Sequence, residues 1–285
     1  MQQIRALEHG PRGVYCGAVG VVRPGVAPGS VAATFNVAIR TVTAQGRALR
    51  CGIGSGITAD ATVAGEWQEW RHKRAFLERA SEPFDLLETL ALEQGALRDL
   101  DRHLARLARA ARHFGYPWNE SSARRALADM VQAHPQGLWR VRVLLNAQGE
   151  VQAQAFAMEP TLGPVKLVLA AQPFTVAQSE FVRFKTTRRA HYDAAAPAAP
   201  GVFDTLLWNE ARELTECSRG NIAVRLDGRW VTPPLSSGLL DGIGREVALA
   251  DGRLQEAMVR VEDLPRATGL AFLNSLRGWI EAELV

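Results

Sequence analysis

Apolar and polar residues change their spacing several times along this chain, and each change marks an element. Residues 14–22 (VYCGAVGVV) and 35–42 (FNVAIRTV) are β-branched and glycine-rich and read as strands, with Pro24-Gly25 and Pro28-Gly29 as turns between them. A third short strand over 49–53 runs into the loop Gly52-Ile53-Gly54-Ser55-Gly56-Ile57. From residue 62 to about 80 the period becomes helical, with Trp67, Trp70, Arg74 and Leu77 at helical spacing. Ser81-Glu82-Pro83 breaks that pattern. Residues 84–92 (FDLLETLAL) predict a strand, Glu93-Gln94-Gly95 a turn, and residues 96–100 a return strand. Asp101 is then expected to cap a helix reaching about Gly115, apolar at Leu104, Leu107, Ala108 and Ala111 and charged at Arg102, Arg106 and Arg109. A second amphipathic helix is predicted over 120–133, and residues 138–145 and 151–158 alternate as a β-hairpin. Residues 160–164 read as a linker between lobes. Beyond it come a strand over 166–171, a strand-like segment leading to Lys185, an alanine- and proline-rich stretch over 194–201, a run of strands, and a helix near 242–249.

Composition narrows the class. The chain has 285 residues, nearly half of them hydrophobic, and no low-complexity tract, so it is expected to fold into an ordered globular protein. Its net charge of +3 is small, and it lacks zinc-ligand spacing and any basic region with interleaved aromatics, which argues against nucleic acid as a partner. Cys16, Cys51 and Cys217 are scattered, which fits reduced thiols rather than a disulfide framework. No apolar stretch approaches the roughly 20 residues needed to span a bilayer, and the start MQQIR is unlike a signal peptide. A soluble cytoplasmic protein is the expectation.

The candidate chemistry begins with a scarcity. The chain holds 30 arginines and only three lysines, Lys73, Lys166 and Lys185. Arginine stays protonated, whereas lysine can lose its proton and attack a carbonyl. Lys73 lies among charged residues of a helix and Lys166 at a strand end, which explains both. Lys185 is followed by Thr186-Thr187-Arg188-Arg189, hydroxyls and guanidiniums that suit an anionic cofactor. Three further pieces join it. Glu216 is a carboxylate between strands that could face a ring nitrogen, and Arg106 offers a planar fork for a phosphate. Leu240-Asp241-Gly242-Ile243-Gly244-Arg245 opens a helix whose free N–H groups favour a phosphate. Each has an ordinary reading when taken alone: an exposed acid, a solvated helix face, a glycine cap. Together, an amine for an aldehyde, a carboxylate for a pyridinium and donors for a phosphate are what pyridoxal phosphate requires.

Two resemblances follow. Residues 8–20 (EHGPRGVYCGAVG), 38–41 (AIRT) and 52–60 (GIGSGITAD), with Glu66 and Glu69 ahead of Lys73, resemble the C-terminal end of the chorismate-binding domain of aminodeoxychorismate and anthranilate synthases. There Arg40 and the glycine loop match carboxylate-holding positions, and Glu69 matches a magnesium-side glutamate. The domain in those enzymes is several times longer, so residues 1–80 are expected to be a structural remnant, and no metal is expected to bind.

From Phe84 onward the chain resembles the class IV, fold-type IV pyridoxal-phosphate enzymes. The matches are His103-Leu-Ala-Arg106-Leu107, Lys185, Thr215-Glu216-Cys-Ser-Arg-Gly-Asn221-Ile222, and residues 232–234 through 238–245. The fold so implied is α+β, with a small α/β lobe over 81–160 and a larger β-barrel-like lobe over 161–285, preceded by the β-rich remnant. Lys185 is then the Schiff-base lysine and proton shuttle, and Glu216 pairs with the pyridine nitrogen. Arg106, Ser218, Asn221, Ile243, Gly244 and Ser275 bind the cofactor, while Tyr192, Arg188, Arg189 and Arg219 are candidates on the substrate side. Where Gly244 stands the family often has threonine, so one hydroxyl is absent.

The pairing with a chorismate-domain tail implies 4-amino-4-deoxychorismate lyase chemistry, which releases pyruvate and p-aminobenzoate. A class IV aminotransferase of branched-chain or D-amino acids, and a non-catalytic cofactor-binding protein, are the alternatives. By the same resemblance the protein is expected to be a homodimer acting on a small molecule and associating with aminodeoxychorismate synthase subunits.

Overall fold

The structure of the protein, a computed structural model, describes residues 6–8 and 10–285; the start at residues 1–5, and His9 of the chorismate-type stretch, lie outside the described residues. The chain divides into two compact units, Met1–Pro83 and Phe84–Val285.

The first unit holds β1 (Ala18–Pro24), β2 (Val31–Val37), β3 (Val42–Gln45), β4 (Ala48–Cys51) and α1 (Val63–Ser81). β1 and β2 form one antiparallel ribbon, β3 and β4 another. The strand expected over 35–42 is split. Arg40 sits in the left-handed region at φ 49° and turns the chain between β2 and β3. The glycine loop ahead of α1 is held by that helix: the Lys73 ammonium donates to the Gly54 carbonyl at 2.8 Å and Trp70 donates to Ser55 at 2.7 Å. Lys73 is therefore half-buried and spoken for, rather than on a solvated face. Among the described residues of this unit, Ala38 is the only buried hydrophobic side chain.

The second unit opens with β5 (Leu86–Glu93), β6 (Ala96–Leu97), α2 (Leu100–Phe114), α3 (Glu120–Ala133), β7 (Leu138–Leu145) and β8 (Val151–Ala157). The strands form one antiparallel sheet in the order β6-β5-β7-β8. β6 is shorter than expected because the helix starts early. The residue before α2 is Asp99 at φ 53°, and Asp101 lies inside the first turn, where its charge still suits the positive helix end. Gly115, at φ 72°, closes α2 with its N–H on the Ala111 carbonyl, a conformation that favours glycine. Leu104, Leu107 and Phe114 of α2 and Leu127 of α3 pack with Leu86, Leu90, Val141 and Val143 of the sheet. At about 1.5–3 kcal/mol per buried large apolar side chain, this cluster dominates the stability of the lobe.

The remaining elements are β9 (Val165–Leu169), α4 (Glu180–Arg183), α5 (Ala190–Asp193), β10 (Asp204–Trp208), β11 (Leu214–Cys217), β12 (Asn221–Leu226), β13 (Arg229–Thr232), α6 (Ile243–Ala250), β14 (Gln255–Glu256), β15 (Gly269–Asn274) and β16 (Gly278–Leu284). Eight strands make one mixed sheet in the order β11-β10-β9-β16-β15-β12-β13-β14, with β9 parallel to both its neighbours. Leu167, Leu206, Leu214, Ile222, Val224 and Phe272 fill one core, and Ala248 of α6 joins Ala223, Ala271 and Leu273 in another. The architecture is α+β. The segment before Lys185 is the short helix α4 rather than a strand, because the Ser179 hydroxyl accepts from the Phe181 N–H and starts a turn. No described helix is long and apolar enough to cross a membrane.

Candidate active site

Lys185 owes its place to the edge of β5. The Leu87 N–H donates to the Lys185 carbonyl at 3.0 Å, the Thr187 N–H donates to the Asp85 carbonyl at 2.9 Å, and Leu86 bridges Thr186. Residues 185–187 thus add a short rung to β5, and strand alternation buries Thr186 on one side while Lys185 lines a cavity on the other. That cavity, about 350 Å³, lies wholly within the second unit. Burial, then the guanidiniums of Arg189 and Arg106, pull Lys185 down to about 7 from the usual 10.5. An amine so placed is half uncharged at neutral pH, as a nucleophile or base requires.

Glu216 lines the same cavity from β11. Burial pushes its carboxyl up to about 8, against the opposing hydrogen bonds it accepts from Tyr192 Oη at 2.6 Å and the Leu240 N–H at 3.2 Å. A carboxyl held near neutrality can share a proton with a heterocyclic nitrogen. Tyr192, expected on the substrate side, lines the cavity and gives its hydroxyl hydrogen to Glu216.

The remaining expected residues divide. Arg106 lines the cavity, but its fork is taken by Glu88: Nε donates to Oε1 at 2.8 Å and Nη2 to Oε2 at 2.7 Å. Nη1 donates to the Asp241 carbonyl at 2.9 Å, which leaves one hydrogen on each Nη. The bidentate phosphate clamp read from sequence is therefore a bidentate clamp on Glu88. Ile243 and Gly242 line the cavity at the N-terminus of α6, where backbone N–H groups lack helical partners. Gly244 does not line it. An added Cβ there would lie 2.6 Å from the Asn274 carbonyl carbon, so the threonine common in the resembled family has no room beside this backbone. Asn221 and Ser275 line the cavity, Asn221 donating to the Leu240 carbonyl at 3.0 Å. Ser218 does too, but its hydroxyl is committed to Asp204 at 2.6 Å. Arg219 lines it while paired with Asp204 at 3.3 Å, and Arg189 lines it with Nη2 on the Ser218 carbonyl at 2.7 Å. Arg188 is not brought to the cavity: its guanidinium lies over the rings of Phe84 and Phe181, at 5.1 and 4.8 Å.

Sequence reasoning missed several residues. Arg140 and Arg142 of β7, and Arg277 after β15, line the cavity without an acidic partner among the described residues. The motif Arg140-Val-Arg142-Val carried the signal, since alternation puts both arginines on one face and Val141 and Val143 in the core. Glu88 and His103 are buried behind Arg106; Glu88 was legible as the acid set inside the apolar run Leu86-Leu87-Glu88-Thr89-Leu90. In the first unit, Glu69 pairs with Lys73 at 2.6 Å and Arg40 is exposed. No group of three or more His, Cys, Asp or Glu residues placed to hold a metal lies among the described residues.

Comparison with known proteins agrees with this division. Residues 1–79 match the family described as chorismate binding enzyme. Over 79 residues the chain is 40% identical to an aminodeoxychorismate synthase of Streptomyces griseus, covering 28% of this chain and 10% of that one. Over 210 residues it is 31% identical to a Schizosaccharomyces pombe protein named "Putative aminodeoxychorismate lyase", covering 69% of this chain and 87% of the other. A Mesorhizobium loti structure named "Putative amino-acid aminotransferase" is similar at 34% identity and a TM-score of 0.66, covering 71% of this chain and all of that one. Residues 85–285, which contain every cavity-lining residue, match the family described as amino-transferase class IV, and the chain belongs to that family of enzymes.

Proposed function

We propose that the protein is a pyridoxal-phosphate-dependent 4-amino-4-deoxychorismate lyase, forming p-aminobenzoate and pyruvate. The observation that carries this reading is one cavity with two chemistries: Lys185 and Glu216, both shifted toward neutrality, and the guanidiniums of Arg140, Arg142 and Arg277, which have no acidic partner among the described residues.

The donor set fits the cofactor. Lys185 Nζ suits its aldehyde and Glu216 its ring nitrogen. The N–H groups at the start of α6, two hydrogens of Arg106 and the Ser275 hydroxyl suit its phosphate. When bound, pyridoxal phosphate supplies an electron sink for the carbanion formed at the amine-bearing carbon of the substrate. Lys185 Nζ, half of it uncharged near pH 7, accepts the proton from that carbon. The enolpyruvyl C–O bond breaks, the ring becomes aromatic, and Lys185 returns the proton to the leaving enolpyruvate, so atoms balance. Tyr192 and the Leu240 N–H hold Glu216 in place throughout.

The arginines favour this substrate over a branched-chain amino acid. Aminodeoxychorismate carries two carboxylates away from its reacting amine, which the cavity-lining guanidiniums can pair with, whereas an apolar side chain offers them no anion. The name of the S. pombe relative and the chorismate-type match at residues 1–79 support the same choice. The test is to give the protein, loaded with pyridoxal phosphate, fresh aminodeoxychorismate and to follow p-aminobenzoate and pyruvate. Pyruvate without any keto-acid acceptor supports the lyase. Turnover that requires 2-oxoglutarate, with ping-pong kinetics, replaces it with an amino-acid aminotransferase, the activity named for the M. loti structure. The proposal extends to a cytoplasmic homodimer associating with aminodeoxychorismate synthase subunits, to be measured by light scattering of the protein alone and mixed with such subunits.

A further inference from the structure

Behind the α6 end of the cavity lies a buried chain of side chains of which the lyase reading uses only Ser275. His103 of α2 is 1% exposed, Glu88 of β5 2% and Ser275 7%. His103 Nδ1 lies 2.6 Å from Glu88 Oε2, and its Nε2 lies 2.8 Å from Ser275 Oγ. Ser275 lines the cavity; His103 does not.

Counting hydrogens fixes what this chain can do. Burial works against the Glu88 charge, but Arg106 and His103 outweigh it and hold the carboxyl at about 2, so Glu88 is an acceptor only. It takes Nε–H and Nη2–H of Arg106, and its remaining close contact requires the proton of His103 on Nδ1. Two states remain for Nε2. If it is bare, it accepts the single hydroxyl hydrogen of Ser275, and Ser275 then turns only lone pairs toward the cavity. If it is protonated, it donates to Ser275 Oγ, and the hydroxyl hydrogen is released toward the cavity. The charge balance points the same way. Arg106 and Glu88 cancel, so with neutral His103 this end holds no net side-chain charge for an anion; a protonated His103 adds one.

We propose that Glu88, His103 and Ser275 form a proton-coupled positioning relay, in which a phosphate monoester at the α6 end of the cavity is bound together with a proton on His103 Nε2, turning Ser275 from acceptor into donor. His103 is a positioning residue, because it acts through Ser275. The charged groups around the relay are Glu88 on β5, Arg106 on its own helix, Arg98, which donates to the Ser275 carbonyl at 3.2 Å and is paired with Glu93 at 2.7 Å, the Arg109–Asp241 pair at 3.6 Å, and the Arg102–Glu246 pair linking α2 to α6. The proposal rests on the pyridoxal-phosphate reading above.

The test is nitrogen NMR of the full chain labelled at histidine, with and without pyridoxal 5′-phosphate, and with pyridoxal as the phosphate-free control. His103→Gln assigns the signal. Nε2 of His103 is expected to move from an unprotonated to a protonated position with pyridoxal phosphate and to stay put with pyridoxal. Ser275→Ala is expected to abolish that change and to weaken pyridoxal phosphate about tenfold to a hundredfold, the scale of one hydrogen bond to a charged group, with pyridoxal affinity unaltered. Ser275→Thr, which keeps the hydroxyl, is expected to restore both. If pyridoxal phosphate binds and the His103 ring does not change, the relay is wrong and the cofactor reading stands. If pyridoxal phosphate does not bind at all, both fall.

Discussion

The two units of this chain obey the same hydrophobic patterning and reach opposite results. In the first, Val19, Val21, Val22, Val31, Phe35 and Val37 sit on a two-stranded ribbon and are all more than half exposed. In the second, Leu86, Leu90 and Leu92 of β5 are essentially without exposure, covered on one side by helices and flanked by paired strands. A lone two-stranded ribbon is marginal in water because it has nothing to bury its apolar face against. Apolar spacing therefore identifies a strand, but a strand contributes stability only where a second layer covers it. The chemistry follows the core, since a lysine held at about 7 and a carboxyl held at about 8 need walls that exclude water.

The contrast can be broken most forcefully at the site. Lys185→Ala is expected to lower lyase turnover by about four orders of magnitude or more, through loss of the nucleophile and proton carrier. Glu69→Ala in the first unit is expected to leave turnover unchanged, and assays of both variants beside the parent decide this. In the core, Leu127→Ala is expected to destabilise the second unit by about 2–5 kcal/mol, whereas Phe35→Ser is expected to shift stability by no more than about 0.5 kcal/mol. Denaturant unfolding followed by tryptophan fluorescence, with Trp67 and Trp70 in the first unit and Trp139 and Trp208 in the second, measures both; equal effects would erase the distinction between the units.

Arg142→Gln tests the substrate side. It is expected to raise KM for aminodeoxychorismate about tenfold with kcat nearly kept, because a charge-assisted contact made equally in ground and transition states is lost. A fall in kcat alone would place Arg142 in the chemistry instead.

The smallest expected effect is a shape rather than a loss. Reductive trapping of pyridoxal phosphate on Lys185, read by mass spectrometry, is expected to rise with pH through about 7. The sign follows from the lowered value: below it Nζ is charged and inert, above it the amine is free. An ordinary lysine reaches its midpoint only near 10.4. A Lys185 midpoint there would mean that the cavity does not desolvate it.

Much of the second unit was legible because its signals are local. The helix over 120–133 and the hairpin over 138–145 appear in the structure with nearly the expected bounds, since capping residues and alternation act within a few positions. The misplaced elements failed for equally physical reasons. Asp101 has the chemistry of a cap, but the chain turns at Asp99; the run before Lys185 looks strand-like, but Ser179 starts a helix. Arg188 and Arg189 are neighbours with the same side chain, and only one reaches the cavity.

What the sequence by itself determined is a pair of candidate groups, the Lys185 amine and the Glu216 carboxyl, which the structure brings to one cavity. Three lysines among 33 basic residues, and one glutamate at the right interval, leave few candidates for an amine and a carboxyl. What only the tertiary structure decided is how the 30 arginines divide their work. A guanidinium has the same charge and the same five donors everywhere, so composition and spacing cannot tell a fork closed on Glu88, as at Arg106, from one left open to an anion, as at Arg142. That choice is made by which buried carboxylate the fold brings within 3 Å, and in Arg106 both Glu88 contacts are shorter than that.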